Sequence, residues 1–250
     1  MRKIICGLLS VVLLLCSTAC SSTEDAVEIT KTPVVATVSE GLSALAARDY
    51  CNEKGYDIEE LFSLTDCAFA VENGKYNYLI CSELESARLQ SFGLTYIEEC
   101  NYKSQYSLCV SAENIELSQQ LNSAIAALTE NGTIDEILGS YMGEGTYTAP
   151  ATAGNPLYIM FIDGASQYYD LNDDGEAEGL EVDIVAAVCN ELGYTPVFIS
   201  GAYDEGFDAV LNGEADMIMS VDAVNALLGD DFTLTSPYLT ITYGVYGTQE

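Results

Sequence analysis

The amino-acid sequence predicts an α/β fold built from two similar units. Short apolar runs alternate with segments of helical period from Pro33 onward, which is the pattern of parallel strands joined by helices. Residues 70–82 and 209–220 repeat one pattern, in which a helix end is followed by Asn-Gly and by an apolar strand that ends in Ser. The segment EGTYTAPATAGNP is rich in Thr, Ala, Gly and Pro, which indicates a linker. The predicted units are residues 33–143 and 157–250, with the linker at residues 144–156.

Strands and helices of the first unit follow from the hydrophobic period and from the capping residues. The predicted elements are, in chain order, strand PVVATV, helix LSALAARDYCNEKG, helix SLTDCAFAVENG, strand YNYLICS, helix ESARLQSF, strand QYSLCVS, helix IELSQQLNSAIAALTENG and the helical segment TIDEILGSYMG. Gly55 is expected to close the first helix. The long helix is amphipathic, with Ile115, Leu121, Ile125 and Leu128 predicted on its buried face.

The second unit repeats the alternation of strands and helices. Its predicted elements are strand LYIMFID, helix VDIVAAVCNELGY, strand TPVFIS, helix FDAVLNG, strand ADMIMS and the extended segment SPYLTITYGVYG. Asn-Gly alone is common at helix ends, because Gly accepts a left-handed conformation there. The aligned strand and its terminal Ser are what favour two related lobes that face a cleft.

The charge balance excludes nucleic acid as a partner. The chain has 39 Asp and Glu against 8 Lys and Arg, and it has no His. Binding to phosphates requires Lys and Arg, and no residue of either type occurs from Pro150 to Glu250.

The N-terminus, residues 1–19, resembles a bacterial lipoprotein signal. Arg2 and Lys3 precede an apolar run, and small residues lead to Cys20. The resemblance implies cleavage before Cys20, attachment of a lipid to its sulfur, and a polar tether over residues 20–32. An uncleaved transmembrane anchor is the alternative, although the run is shorter than the roughly 20 residues that a span needs. We therefore expect an extracytoplasmic protein that is lipid-anchored to the bacterial cell membrane.

Six cysteines follow Cys20: Cys51, Cys67, Cys81, Cys100, Cys109 and Cys189. Zinc ligation is disfavoured because there is no CxxC pair and no His. Cys67, Cys81 and Cys189 lie in apolar segments and are expected to pack as small core residues, whereas a bridge between Cys100 and Cys109 stays open.

The segment GLEVDIVAAVCNEL, residues 179–192, resembles the signature of the family 3 extracellular solute-binding proteins, which capture substrates for ABC importers. The later segments GEADMIMS and TSPYLTITYGVY resemble further motifs of the same lobe. The resemblance implies a two-lobed, type II periplasmic-binding-protein-like fold. It also implies a small-molecule solute and the membrane subunits of an ABC transporter as partners.

The first unit resembles the other lobe of that family, but the order is reversed. PVVATVSEG, GKYNYLICSE and NGTIDEILGSYMG resemble motifs of the family's second lobe, yet here they precede the motifs of its first lobe. Circular permutation, a piece of a tandem array, and pairing of lobes between chains each explain this order. We favour permutation because one chain then supplies both lobes.

The resemblance also implies ligand-binding positions. These are Tyr168, Tyr169, Tyr203, Ser220, Val221 and Asp222 in one lobe, and Gly41, Leu42, Ser43 and Ser82 in the other. The family's Arg that binds the ligand carboxylate corresponds to Leu228, and the Asp that binds the α-amino group corresponds to Ser82. A neutral or positively charged solute, and not a standard free α-amino acid, is therefore expected.

The stretch DLNDDGEAEGLE, residues 170–181, permits two interpretations. It fits the calcium-loop template, with Asp170, Asn172, Asp174 and Glu181 as candidate ligands. It also fits a β-hairpin tip before the signature helix, because Asp-Asp-Gly is a favourable turn. The strand-like segment before it favours the hairpin, and no other cofactor is expected.

Three function classes remain open at this point. The leading one is solute capture for an ABC importer, and the alternative is a degenerate relative that acts as a sensor or protein-interaction module. An enzyme is disfavoured, because its best carboxylate pair, Glu181 and Asp183, lies two residues apart at a helix start, where side chains do not face each other.

Overall fold

The computed structural model describes residues 31–39, 41–150, 153–162, 168–223 and 228–249, with the side chains of residues 203 and 204 left out. The predicted signal peptide, Cys20 and nearly all of the tether lie outside these residues. Residues 32–250 form one compact unit by their contacts. None of the helices within the described ranges is long and apolar enough to cross a membrane.

Strands and helices alternate along the described chain, as the sequence predicts. The strands are β1 (Val34–Val38), β2 (Asp57–Leu61), β3 (Tyr78–Ser82), β4 (Leu94–Ser111), β5 (Pro156–Ile162), β6 (Asp170–Leu171), β7 (Ala177–Glu178), β8 (Thr195–Gly201), β9 (Met217–Asp222), β10 (Phe232–Leu234) and β11 (Leu239–Thr248). The helices are α1 (Leu42–Lys54), α2 (Leu64–Glu72), α3 (Ser86–Gln90), α4 (Ile115–Glu130), α5 (Thr133–Tyr141), α6 (Leu180–Glu191) and α7 (Tyr203–Asn212), with a 3-10 turn at Glu83–Glu85 before α3.

The sheet contains two parallel groups of strands with the same order. The N-terminal lobe has the order β2-β1-β3 and the C-terminal lobe has the order β8-β5-β9, so in each parallel group the strand that comes first in the chain lies between the other two. Parallel neighbours require crossover connections, and α1, α2, α6 and α7 provide them. The predicted α/β fold with two lobes is therefore confirmed.

Two long strands connect the lobes. β4 pairs with β11 over its first part and with β9 and β10 over its last part, whereas β11 also pairs with β3. β11 therefore joins the parallel group of the N-terminal lobe, β4 joins that of the C-terminal lobe, and the β4–β11 pairing connects the two. The β4–β11 pairing changes register between Thr242 and Gly244, which marks a bulge in the connecting ribbon.

The repeated sequence pattern corresponds to a repeated turn. In the N-terminal lobe the N–H groups of Lys75 and Tyr76 donate to the carbonyl of Ala70, and Gly74 has a φ of 70°. In the C-terminal lobe the N–H groups of Glu214 and Ala215 donate to the carbonyl of Ala209. The two turns close α2 and α7 and lead into β3 and β9. The repeated sequence pattern therefore reflects equivalent positions in the two lobes.

The long helix α4 buries a slightly different face from the predicted one. Leu121, Ile125 and Leu128 are buried as expected, but Ile115 is 63% exposed and Leu117 is buried instead. Ile115 is the first helical residue, so the helix has not yet approached the core there. Both α4 and α5 contact α6, so the end of the first predicted unit packs against the C-terminal lobe.

The six cysteines of the described chain are buried free thiols. Cys100 and Cys109, for which the sequence left a disulfide open, are both free thiols. Burial raises the pKa of Cys51 to about 11 and those of Cys100 and Cys109 to about 12. All six therefore behave as small core residues, which confirms the prediction for Cys67, Cys81 and Cys189.

Candidate functional site

A large cavity of about 1180 Å³ lies between the two lobes. The N-terminal lobe contributes residues around α3, the C-terminal lobe contributes residues that follow β5 and residues at the start of α6, and the end of α5 completes the wall. The lining residues are Leu84, Glu85, Ala87, Arg88, Tyr141, Met142, Gly143, Phe161, Tyr168, Tyr169, Asp170, Leu171, Glu178, Gly179 and Leu180. Ligand sites of α/β proteins are commonly found outside the carboxyl ends of the strands, where these segments begin.

A small cavity of about 250 Å³ shares Glu85 and Arg88 with the large one. It lies at the carboxyl ends of β1 and β3, and its lining residues are Val38, Gly41, Leu42, Ser43, Leu64, Cys81, Ser82, Glu85 and Arg88. The two cavities are therefore adjacent, and α3 supplies the residues between them.

Aromatic side chains form the wall of the large cavity on the C-terminal lobe. The rings of Phe161 and Tyr169 meet edge to face at 5.4 Å, and Tyr106 meets Tyr168 edge to face at 6.1 Å. The hydroxyl of Tyr169 donates to the carbonyl of Ile162, which holds Tyr169 against the end of β5. Burial of Tyr169 at 8% exposure makes this wall a fixed part of the lobe.

Arg88 is the cation among the residues that line the two cavities, and sequence reasoning missed it. Its Nη2 donates to Oγ1 of Thr65 at 2.8 Å, and its Nη1 lies 3.7 Å from Oε2 of Glu85. The side chain is 52% exposed. One available signal was its position six residues after the carboxyl end of β3, in a chain with only 8 Lys and Arg.

Three acidic side chains also line the large cavity. Glu85 lies beside Arg88, and Asp170 and Glu178 line the large cavity from the paired strands β6 and β7. Three carboxylates against one guanidinium give the lining of the large cavity a net negative charge. A solute with a positive or neutral body is compatible with this wall, and an anionic group is favoured only close to Arg88.

Six of the ten predicted ligand positions line the cavities. Tyr168 and Tyr169 line the large one, and the other four, Gly41, Leu42, Ser43 and Ser82, line the small one. Gly41 has a φ of 80°, a left-handed conformation that suits Gly at the turn into α1. Ser82 is buried, and its Oγ accepts from the N–H of Leu84, so it orients the 3-10 turn that leads to α3.

The other predicted positions have different surroundings. Ser220, Val221 and Asp222 are absent from the lining of both cavities, and the side chain of Tyr203 lies outside the described residues. Val221 is buried, and Asp222 pairs with Tyr106 in the sheet. Leu228, which occupies the position of the family's Arg, packs against an apolar cluster that includes Cys109.

Glu181 belongs to a buried hydrogen-bond network near the start of α6. Its side chain accepts from Oγ of Ser220 at 3.0 Å and from the hydroxyl of Tyr238. The N–H of Ser220 donates to the same Tyr238 hydroxyl at 2.9 Å, and Ser220 has a φ of 64°. Burial raises the pKa of Tyr238 well above its ordinary value, and the negative charge of the adjacent Glu181 raises it further. The network fixes the end of β9 against α6 and explains why Ser220 faces Glu181.

The two carboxylates of the signature helix serve separate partners. Oδ2 of Asp183 accepts from the hydroxyl of Tyr141 at 2.8 Å, whereas Glu181 is fully buried with Ser220 and Tyr238. Burial and the bond to Asp183 raise the pKa of Tyr141. The bond between Tyr141 and Asp183 attaches α5 to α6 beside the large cavity.

The segment that fits the calcium template forms a β-hairpin. β6 and β7 pair through Asp170 with Glu178 and Leu171 with Ala177, and Gly175 at the turn has a φ of 79°. Oδ1 of Asn172 accepts from the backbone N–H groups of Asp174 and Glu176, as expected for a turn-forming Asn. The hairpin interpretation is confirmed, and the Glu181 carboxylate is engaged elsewhere. Across the described part of the chain, no group of three or more Cys, Asp or Glu side chains is placed to hold a metal ion.

Solved structures with a similar arrangement belong to several binding proteins. A phosphate-binding protein of a phosphate ABC transporter from Streptococcus pneumoniae is 12% identical, with 87% of this chain and 89% of that chain covered and a TM-score of 0.49. An ancestral cationic amino acid solute-binding protein is 10% identical, with 88% and 82% covered and a TM-score of 0.47. The arginine-bound amino acid ABC transporter substrate-binding protein AbpA from Streptococcus pneumoniae is 10% identical, with 88% and 82% covered and a TM-score of 0.40. These similarities assign no ligand to this chain.

No curated protein sequence matches the chain. Residues 159–249, however, match the family model of the bacterial extracellular solute-binding proteins, family 3. The match covers the signature segment at residues 179–192 and the strand and crossover motifs that follow it. The family that the sequence resembles is thus confirmed for residues 159–249, which form the C-terminal lobe.

Proposed function

We propose that this protein captures a small polar solute outside the cytoplasm and delivers it to an ABC importer. The observation that carries the proposal is the large cavity between the lobes, about 1180 Å³, in a chain whose residues 159–249 match an extracellular solute-binding family. Aromatic walls with a small number of polar and charged groups are the usual lining of small-molecule sites, and the wall described above has this composition.

Capture requires that the solute contacts both lobes. The large cavity meets this requirement, because α3 lines it from one lobe and the segment after β5 lines it from the other. A solute bound to both surfaces stabilises the closed arrangement, and the β4–β11 ribbon is the element that must bend when the lobes approach. Closure then gives the transporter a way to distinguish loaded from empty protein.

The solute is not a standard free α-amino acid. The family's carboxylate-binding Arg is replaced by Leu228, which packs in an apolar cluster. The position of the Asp that binds the α-amino group is taken by Ser82, whose Oγ is used by the backbone of the next turn. Neither of the usual charged contacts to an α-amino acid can form at these positions.

Circular permutation explains how one chain supplies both lobes. The equal strand orders β2-β1-β3 and β8-β5-β9 support the view that each lobe is a family lobe. The packing of α4 and α5 against α6 gives further support, since the linker then connects two elements that already lie in the C-terminal lobe. Under this proposal the linker at residues 144–156 joins the ends of the usual family chain.

A lipid on Cys20 would hold the protein at the outer face of the cytoplasmic membrane. The basis is the sequence resemblance to a lipoprotein signal. Replacement of Cys20 by Ala should prevent attachment of the lipid, and it should also prevent cleavage of the signal peptide. Fractionation of cells that express the wild-type and C20A proteins, with labelled palmitate, measures both effects. A wild-type protein that is neither labelled nor membrane-associated contradicts the anchor.

Native mass spectrometry of the purified protein tests the proposed function, because it reports assembly and bound small molecules together. A monomer that carries a small organic molecule, or that acquires one from a metabolite mixture, is the expected result. A protein that takes up no molecule and forms a stable complex with another protein favours the sensor or interaction module instead. A mass increase of 40 Da that a chelator removes would indicate a calcium ion.

A further inference from the structure

We propose that Arg88 binds a carboxylate group of the solute where the two cavities meet, so that the solute is a carboxylic acid with a neutral or cationic body other than a standard free α-amino acid. This inference rests on the proposed function and specifies the substrate class of that site. It places the anion-binding side chain on α3 of the N-terminal lobe. The family's Arg corresponds to Leu228, which lies in the C-terminal lobe.

The first argument is position. Arg88 lines both cavities, and Glu85 is the only other described residue that does so. A group bound by the guanidinium therefore lies where the linings of the two cavities meet. The small cavity, about 250 Å³, has room for a compact group, while the large cavity accommodates the rest of the molecule.

The second argument is the capacity of the guanidinium. An Arg side chain carries five N–H donors in a planar fork that matches the two oxygens of a carboxylate. The described partners of Arg88 are Thr65, through Nη2, and Glu85, at 3.7 Å from Nη1. The longer contact is an ion pair beyond ordinary hydrogen-bond length, and the side chain is half exposed, so a solute carboxylate can bind at moderate cost.

The third argument is charge. Glu85, Asp170 and Glu178 make the lining of the large cavity negative, so an unaccompanied anion is repelled there. A single negative charge is tolerated next to Arg88, but a doubly charged phosphate monoester would face the same three carboxylates with twice the charge. The geometry thus favours a monocarboxylate whose remaining part is neutral or positive and packs on the aromatic wall of Phe161 and Tyr168.

Matched probes separate the carboxylate from the rest of the solute. The purified protein is dialysed to equilibrium against a mixture of small solutes in which each acid is present with its primary amide and, where one exists, the corresponding phosphate ester. Retained molecules are identified by mass spectrometry. We expect carboxylates to be retained over their amides, because the amide removes the charge and leaves the shape almost unchanged.

Substitution of the guanidinium tests the assignment to Arg88. R88Q should weaken binding of the retained acid by about 10- to 100-fold, the range expected for loss of a hydrogen-bonded charge, and should leave affinity for the amide nearly unchanged. R88K, which keeps the charge without the fork, should lose less. The matched control is R48Q, because Arg48 is similarly exposed and pairs with Glu60 without lining either cavity. Thermal unfolding of each variant verifies that the fold is retained.

Three outcomes overturn the inference. Equal retention of acids and amides by the wild-type protein shows that solute capture operates without a carboxylate contact. An R88Q variant that prefers the acid as strongly as R48Q does assigns the contact to another residue. Retention of phosphate esters over carboxylates identifies a different anion. If the wild-type protein retains none of the solutes, the proposed function itself fails, and this inference fails with it.

Discussion

Replacement of Tyr238 by Phe tests the buried network that positions the end of β9 against α6. The hydroxyl of Tyr238 donates to the side chain of Glu181 and accepts from the N–H of Ser220 at 2.9 Å. Glu181 lies in the first turn of α6 and is completely buried. The substitution removes one oxygen atom and leaves the aromatic ring in place, so the change isolates the two hydrogen bonds.

The magnitude follows from what remains after the hydroxyl is removed. A hydrogen bond to a carboxylate contributes about 1.5–3 kcal/mol, and a bond from a backbone N–H contributes about 0.5–1.5 kcal/mol. Removal of the buried hydroxyl recovers part of its own desolvation cost, so we expect a net loss of about 2–4 kcal/mol in the free energy of unfolding. For a domain of this size, the melting temperature should fall by roughly 4–16 °C.

The assay is equilibrium unfolding in urea, with Y158F as the matched control. Tyr158 lies on β5 and is 41% exposed, so the same chemical change there should alter stability by less than about 0.5 kcal/mol. A midpoint shift without a change in slope would attribute the effect to the native state. A Y238F protein as stable as Y158F would refute the argument that the network contributes to folding.

The remaining predictions concern backbone strain and the buried thiols. G179A should destabilise the protein by roughly 2–4 kcal/mol, because Gly179 has a φ of 124° and an added Cβ would lie 2.6 Å from the carbonyl oxygen of Tyr168. Thermal unfolding measures this loss, and the control is G229A, where an added Cβ meets nothing within 4 Å. Thiol labelling of the native protein at pH 8 should leave the six described cysteines unmodified, and rapid labelling of two or more would contradict their burial. The free energy of unfolding should also fall between pH 9 and pH 11, because the pKa of Cys51 rises from 9.0 to about 11 on folding and the unfolded chain loses its thiol proton first. Urea titrations at pH 8 and pH 10.5 measure this fall, which C51A should reduce; equal stability at both pH values would contradict it.

The order of most strands and helices could be predicted from the sequence because hydrophobic period and caps agree there. α1 ends at Gly55 in the left-handed conformation, and Ser63 caps α2 by accepting from the N–H of Asp66. β2 was not predicted, because its sequence DIEEL carries three acidic residues. It is the edge strand of the sheet, where charged side chains remain exposed and hydrophobic pattern is weak.

The length of β4 could not be predicted either. Its second part, which contains the apolar residues of QYSLCVS, was predicted as a strand, but its first part is rich in exposed polar residues. That part is ordered by antiparallel pairing with β11, whose sequence lies more than a hundred residues away. Pairing over such a separation leaves no local signal.

The candidate site was predicted in part for a similar reason. Positions carried by the family motifs, such as Tyr168 and Ser43, do line the cavities. Arg88 was missed because it occupies no motif position, and it lines both cavities only because α3 lies between them. Ser220 was predicted to bind ligand from its motif position, but its hydroxyl donates a hydrogen bond to the buried side chain of Glu181. A linear sequence shows neither relation.

A single tryptophan in the large cavity provides the most direct test of solute capture. The chain contains no Trp, so L171W gives a fluorescence signal from one known position on the cavity wall, and L211W on α7 gives one outside both cavities. Titration with the acids retained in dialysis should change the L171W emission in a saturable manner and leave L211W unchanged. Equal responses of the two reporters, or no saturable response of L171W to any retained molecule, would contradict binding between the lobes.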